Sequence, residues 1–315
     1  METNANRAVG GLRWILLGAL APISWGSVYF VTLHWLPAEE PLTSAALRAL
    51  PAGLLLLAVR RRLPRGAWWW RSVVLGVLNC SAFFVLVYVA AKLLPTSIAA
   101  MLMSLSPIAM MLIAWGLVAE RPTVRRLLGA AMGLLGVVLL MAASVGAIDA
   151  WGVAASVSGM AMYALGSVLA KRWSGQVDSI ASSSWQLTAG GLLLVPFALV
   201  LEGVPSALPL PAVLGYAYIA IIPTALAFVC WFGALRHLTA GQVGLLGLLN
   251  PVTGVLLGVL LGGELLTPWQ WLGIAVVLAG ITIGQTTARR RRAPGLGTRA
   301  PAARAPVPER DEGRP

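Results

Sequence analysis

The chain has 315 residues, of which 58% are hydrophobic and only 11% charged, with a formal net charge of +12. A soluble domain carries about 25% charged residues, so this composition excludes a water-exposed globule and points to a chain dissolved in lipid. The basic excess is not a nucleic-acid patch, because Lys and Arg lie between apolar runs or in the C-terminal tail.

A hydrocarbon core takes about twenty apolar residues per helix. In chain order such runs fall at 12–32, 42–60, 70–91, 96–118, 124–144, 150–171, 180–201, 211–235, 241–262 and 268–287. The first is long enough to span and has no convincing cleavage site after it, so it reads as a helix and not as a removed leader. Short connections with Pro or Gly separate the runs, among them Pro64, Pro122 and Pro268. Residues 288–315, rich in Arg, Pro, Ala and Gly, read as a disordered basic tail. Cys80 and Cys230 lie inside apolar runs, with no CxxC or zinc spacing, and read as small apolar fillers. No cofactor or metal is expected.

Placing residues 1–11 in the cytoplasm puts Arg60, Arg61, Arg62, Arg65, Arg121, Arg125, Lys171, Arg172, Arg236 and the tail arginines on that same side. The opposite side then keeps Lys92 as its basic residue, with Glu39, Glu40, Asp149, Glu202 and Glu264. This is the pattern of a multi-pass protein of the cell membrane with both termini cytoplasmic. A miscount by one span would scramble it.

An internal repeat runs through the chain. A shift of 144 residues lays Pro107 on Pro251, Glu120 on Glu264, Thr123 on Thr267, Gly129 on Gly273 and Gly136 on Gly280. A shift of 138 aligns the earlier spans more weakly, matching Trp25 with Tyr163, Arg48 with Gln186 and Gly53 with Gly191. The fold class expected is all-α: ten transmembrane helices as two five-helix units, 12–145 and 146–287. Five is odd, so the second unit must be inverted in the membrane, the arrangement of alternating-access carriers.

The segment ISWGSVYF in span one, SLSPIAMMLIAWGLVAERPT closing span four and LLNPVTGVLLGVLLGGELLTPWQWLG across spans nine and ten carry a resemblance. The chain resembles the drug/metabolite transporter superfamily in its ten-helix EamA-type branch. That resemblance implies a central cavity lined by spans one, three, four, six, eight and nine, with spans five and ten peripheral. It also implies small metabolites such as amino acids as cargo, often moved outward.

Candidate pathway residues follow from polarity inside apolar runs. Pro107 and Pro251 remove a helical hydrogen bond in mirrored positions, and Ser106 and Asn250 beside them offer polar contacts. Arg48 is the lone charge well inside a run; it serves either as an anion contact facing the cavity or as a snorkelling side chain. Trp25, Tyr29, Tyr88, Tyr163 and Trp231 lie inside spans, away from the interfacial belt, and with Ser104, Ser158, Thr224 and Asn250 outline a mildly polar, aromatic cavity. Core packing explains any one of these aromatics as well. Glu120 and Glu264 read either as helix-end carboxylates favouring the positive end of the following helix, with Thr123 and Thr267 as caps, or as gating ion pairs. The GxxxG spacings Gly129/Gly133 and Gly280/Gly284 serve close helix packing, with a homodimer seam along spans five and ten as the secondary reading.

The function expected is secondary transport of a small organic molecule, with membrane lipids as the other partner and no nucleic acid. No Asp or Glu lies mid-span, so proton coupling through a buried carboxylate is not apparent. The alternatives are an intramembrane enzyme, for which HExxH and GxSxG are both absent from the sequence, and a membrane protein that moves no solute.

Overall fold

The computed structural model describes residues 2–37, 40–141, 149–203, 208–263 and 265–286. The tail and Glu264 lie outside the described residues, so the expectations for them are not met by any coordinates. Every regular element described is a helix, as lipid demands of any open chain: backbone N–H and C=O groups find no water there and must bond within the segment. The helices are α1 (Glu2–Trp35), α2 (Pro41–Arg60), α3 (Trp68–Gly76), α4 (Ala82–Leu93), α5 (Thr96–Met103), α6 (Ser106–Val118), α7 (Val124–Met141), α8 (Ala150–Trp173), α9 (Ser179–Leu201), α10 (Leu210–Ala220), α11 (Ala227–His237), α12 (Ala240–Leu246), α13 (Leu249–Gly262) and α14 (Pro268–Gln285).

Among the described residues nine stretches have the length and hydropathy of a membrane span. The tenth, α14, has 18 residues, about 27 Å at 1.5 Å per residue, and its hydropathy is diluted by Gln270 and Gln285. Span three is α3 and α4 joined by a π-turn over Val77–Ser81, and span eight is α10 and α11 joined by a π-turn over Ile221–Leu226. Spans four and nine are each split in two, at Ser104–Leu105 and Gly247–Leu248. The fold is therefore an all-α bundle of ten membrane helices in two inverted five-helix repeats.

The repeat is visible in backbone detail. The π-turns begin 144 residues apart, at Val77 and Ile221. So do the left-handed residues that end α6 and α13, Ala119 (φ 57°) and Gly263 (φ 69°). The prolines also sit differently from a simple mid-helix kink. Pro107 falls in the first turn of α6 and Pro251 in that of α13, where the absent N–H would have no helical partner anyway. They restart a broken helix; the break precedes them.

The two most extensive helix–helix seams between the repeats are both built from glycine. α2 lies along α9 and α7 along α14. A Cβ on Gly53 would come within 2.4 Å of the Thr188 nitrogen, and one on Gly191 within 2.7 Å of the Leu50 Cα. These are mirror contacts, since 50 and 53 map to 188 and 191. Likewise a Cβ on Gly129 would stand 2.5 Å from the Gly280 oxygen, and one on Gly136 2.7 Å from the Gly273 oxygen. Such approach is how helices gain contact area in lipid, where no hydrophobic drive separates them from solvent. The glycines of α7 and α14 are thus taken up within the chain, and a homodimer would have to use another face.

The two ends of the bundle differ. At the end carrying Glu120, all seven residues of α12 are buried, with Ala240, Val243 and Leu245 at 0% exposure. At the end carrying Glu202, the mirror helix α5 has no buried residue among those described, and α13 buries only Val252.

Candidate substrate cavity

The packing just described leaves a central cavity of about 480 Å³, closed toward the Glu120 end and reaching toward the Glu202 end through Val87, Met141 and Gly258. Its wall comes from spans one, three, four, six, eight and nine, as the resemblance implies, with Arg48 from α2 and Met141 from α7 in addition.

Trp25 stands at its centre for a local reason. Gly26 lets α1 touch α13: a Cβ there would lie 2.6 Å from the Thr253 Cβ and 2.7 Å from the Asn250 oxygen. That approach drives the neighbouring indole inward, where Nε1 donates to the Pro223 carbonyl at 2.9 Å. Pro223 lies in the second π-turn, so the ring seals an irregular stretch of backbone. Trp25, Tyr163 and Trp231 form a ring cluster with centroids 5.1–6.2 Å apart in tilted and edge-on geometry. Phe83 adds a fourth ring, 5.5 Å from Tyr163. The weak pairing of Trp25 with Tyr163 under the 138 shift thus joins two rings that meet edge to face.

Arg48 points into the cavity and does not snorkel. Its Nε donates to the Thr224 hydroxyl at 3.3 Å and its guanidinium lies 4.6 Å from the Phe84 ring centroid. Gln186, its mirror under the repeat, is fully buried and accepts from Asn79 Nδ2 at 2.9 Å. Asn79 Oδ1 in turn occupies the space above Gly166, 2.3 Å from where a Cβ would stand.

Of the residues singled out from the sequence, Trp25, Arg48, Ser104, Tyr163, Trp231, Asn250 and Pro251 line the cavity. Thr224 is buried behind Arg48, and Pro107 is buried against α12, close to Gly244. Tyr88 is not in the wall; its ring lies under the Lys92 ammonium, 4.6 Å away, toward the Glu202 end. Ser158 is exposed on α8, and Ser156 takes the buried position. The Tyr29 side chain lies outside the described residues. Unforeseen wall residues are Phe83, Phe84, Phe228, Phe232 and Asn79.

Glu120 corrects the expectation that it serves the next helix in sequence. Its Oε2 accepts from the Ala240 N–H at 2.7 Å, capping α12 of the other repeat, and its Oε1 pairs with Lys171 Nζ at 2.7 Å. Lys171 also donates to the Leu238 carbonyl. Thr123 accepts only a long bond from Arg126 N, 3.4 Å, whereas Thr267 forms a full capping box with Gln270. At the same end of the bundle, Arg60 pairs with Asp178 at 2.8 Å. Asp178 is the N-cap of α9 and accepts from Ala181 N. Burial pushes its carboxyl up, but the Ala181 N–H and the Arg60 and Arg62 charges more than offset this and hold it below the usual range.

Ten spans in inverted repeats, enclosing a central cavity that the buried α12 covers at one end, define a multi-pass membrane transporter. The chain belongs to the EamA-like transporter family, which matches residues 12–142 and 150–283. It is 35% identical to the protein PecM of Dickeya dadantii (strain 3937) over 267 residues, 84% of this chain and 90% of that one. It is 28% identical to the inner membrane transporter YedA of Escherichia coli (strain K12), over 85% of this chain and 90% of that one. A solved crystal structure shares the fold with a TM-score of 0.76 at 22% identity, covering 86% of this chain and 98% of the other.

Proposed function

We propose that the protein is a plasma-membrane exporter of small organic metabolites, working by alternating access with both termini in the cytoplasm. The observation that carries this reading is the unequal packing of mirrored half-helices, α12 buried and α5 loose. Equivalent elements of the two repeats in two packings are what a carrier needs if it exchanges them between turnovers. Arg60, Arg61, Arg121 and Lys171 gather at the Glu120 end, so the positive-inside rule makes that end cytoplasmic and the cavity open outward. Export is the direction that the family resemblance favours. The described wall holds no Asp, Glu or His, which supports movement down a gradient without proton coupling.

Counterflow in proteoliposomes with a metabolite panel tests transport, and repeating it without a proton gradient tests coupling. Trp25→Ala and Pro251→Ala are expected to lower flux more than they lower folded yield. Absence of flux for every compound overturns the reading. So does labelling that places the connections after Leu94 and Leu238 on one side of the membrane.

A further inference from the structure

We propose that Arg71 and the tryptophans around it form a site for the phosphate of an anionic phospholipid, in the leaflet at the Glu120 end. This goes beyond the transport reading and needs only that span three cross the bilayer. Arg71 closes the first turn of α3, among three indole rings. Its guanidinium carbon is 5.8 Å from the Trp68 ring centroid, 5.7 Å from that of Trp70 and 5.3 Å from that of Trp173. The rings brace one another: Trp70 meets Trp173 edge-on at 5.2 Å, and Trp68 meets Trp185 at 5.4 Å. They hold the cation in place but bring no formal charge to balance it. Among the described residues the Arg71 side chain forms no ion pair or hydrogen bond. The carboxylates of Asp178 and Glu120 at this end are held by Arg60 and Lys171.

Two further observations call for an anionic oxygen. Trp68 is 6% exposed, and its Nε1, like the Arg71 Nε, is buried with no acceptor. Trp185, by contrast, donates its own N–H to the Arg62 carbonyl at 2.7 Å. Adjacent orphaned donors carry a desolvation cost that a shared anion would remove. The start of the helix adds to it. Ala67 gives α3 no side-chain cap and the first turn holds no acidic residue, so a cation sits at the positive end of the helix, where an anion is favoured. Exposed Arg65 and Arg172 flank the cluster in sequence and add to its pull on an anionic headgroup. Trp69, Trp70 and Val73 are all exposed, so in the bilayer this face meets acyl chains, which makes the phosphate that of a lipid and not a free ion. The planar donors of arginine suit its oxygens. A choline headgroup would set an ammonium against Arg71, whereas a glycerol headgroup brings no cation, so the anionic lipid is preferred.

The test titrates the full chain in detergent with phosphatidylglycerol or phosphatidylcholine and counts bound lipid by native mass spectrometry. Phosphatidylglycerol is expected to bind at one site per chain and more tightly than phosphatidylcholine. Arg71→Gln should weaken it at least about tenfold, the margin a charge-assisted hydrogen bond supports, and Arg71→Lys by less. Arg125→Gln removes the same charge from an exposed position on α7 and should leave binding unchanged. In the wild-type chain, phosphatidylglycerol should slow modification of Arg71 by phenylglyoxal and phosphatidylcholine should not, a readout that holds even where Arg71→Gln fails to fold. Equal losses in Arg125→Gln and Arg71→Gln would mean diffuse attraction to charge and overturn the proposal. So would equal binding of the two lipids, or an Arg71 modification rate that phosphatidylglycerol leaves unchanged. Equal protection by inorganic phosphate would make the ligand a soluble anion and overturn the lipid assignment. Absence of solute flux with this binding intact would strike the transport reading alone.

Discussion

α5 and α12 are the same element twice, 144 residues apart, yet one is loose and the other buried throughout. The seams α2–α9 and α7–α14 show no such difference, since their glycine contacts are mirrored. Under the alternating access proposed above, the contrast separates a scaffold that must be equal in both repeats from gates that must be unequal at any instant. Chemistry favours one gate. Glu120, Lys171, the Leu238 carbonyl and the Ala240 N–H tie the α12 end together. At the other end the residue in the place of Lys171 is Leu33, 79% exposed. The tie exists at one end among the described residues, and that end is the closed one.

The scaffold half of the comparison carries the largest expected effect. Gly53→Leu and Gly191→Leu should each force α2 and α9 apart, at a cost of about 1–3 kcal/mol or more from overpacking. Because the contacts are mirror images, both should lower the melting temperature in detergent by similar amounts. A lethal change at one position and a silent one at the other would break the symmetry of the seam.

The gate half should behave in the opposite way. Lys171→Ala takes from a largely buried carboxylate the cation that touches it, a cost of about 1–3 kcal/mol that falls only on the closed α12 end. That corresponds to roughly a 5- to 150-fold shift toward opening of that end. A cysteine placed at Val243, buried in the present packing, reports the shift through its rate of maleimide labelling; one at Ala99, the mirror position, should label readily without it. An unchanged rate at Val243 would mean that the Glu120–Lys171 pair decorates the gate and does not hold it.

The helix caps sharpen the comparison further. Asp178 caps its own helix, α9. Its mirror, Glu40, makes no side-chain cap on α2. There Glu202 reaches across and accepts from Leu42 and Thr43 N, both at 2.8 Å. Asp178→Ala and Glu202→Ala should therefore each cost about 1 kcal/mol, while Glu40→Ala should stay within about 0.5 kcal/mol of wild type. The Asp178 carboxyl is held below its usual value, so its contribution is present above the ordinary carboxylate range and fades as pH falls through the lowered value. A melting curve of Asp178→Ala against wild type should then converge with it in acid and diverge at neutral pH.

Much of the scaffold was legible in the chain because lipid leaves it few choices: the apolar runs, the odd count per repeat and the matched Pro, Glu and Gly positions lead directly to ten helices. The cavity was legible in part. Arg48, Trp25, Tyr163, Trp231 and Asn250 stood out as polar or aromatic residues within spans. Tyr88 lies outside the wall, and Phe83 and Phe84 went unseen, because polarity inside an apolar run does not say which face of the helix meets the cavity. The π-turn over Val77–Ser81 adds a residue to the turn and rotates the helical phase after it, so a regular period would not have read that face either. Pro223 hinted at the second π-turn, but no residue pattern announced the first. Asn79, an amide in mid-span, was a readable signal. The partner of Glu120 was not, because Lys171 and Ala240 are brought to it only by the packing of one repeat on the other.

The smallest effect lies where the repeats differ by one methyl group. α6 ends in a left-handed residue that is Ala119, and α13 ends in the same conformation with Gly263. An alanine there is strained by about 1–2 kcal/mol, since its Cβ crowds the following carbonyl. Glycine removes the strain but loses about 0.5–1 kcal/mol more conformational entropy on ordering. The terms oppose, and the strain is the larger. Ala119→Gly should therefore stabilise the protein by about 0.5–1 kcal/mol, whereas Gly263→Ala should destabilise it by a similar amount. Nothing lies within 4 Å of a Cβ built on Gly263, so steric contact with neighbours cannot account for a loss there. Thermal melts of the two single variants and of the double exchange would decide it. Equal and cancelling shifts mean that the two caps are one structure written with different residues, whereas a silent Ala119→Gly would mean that the first cap relaxes out of the left-handed region.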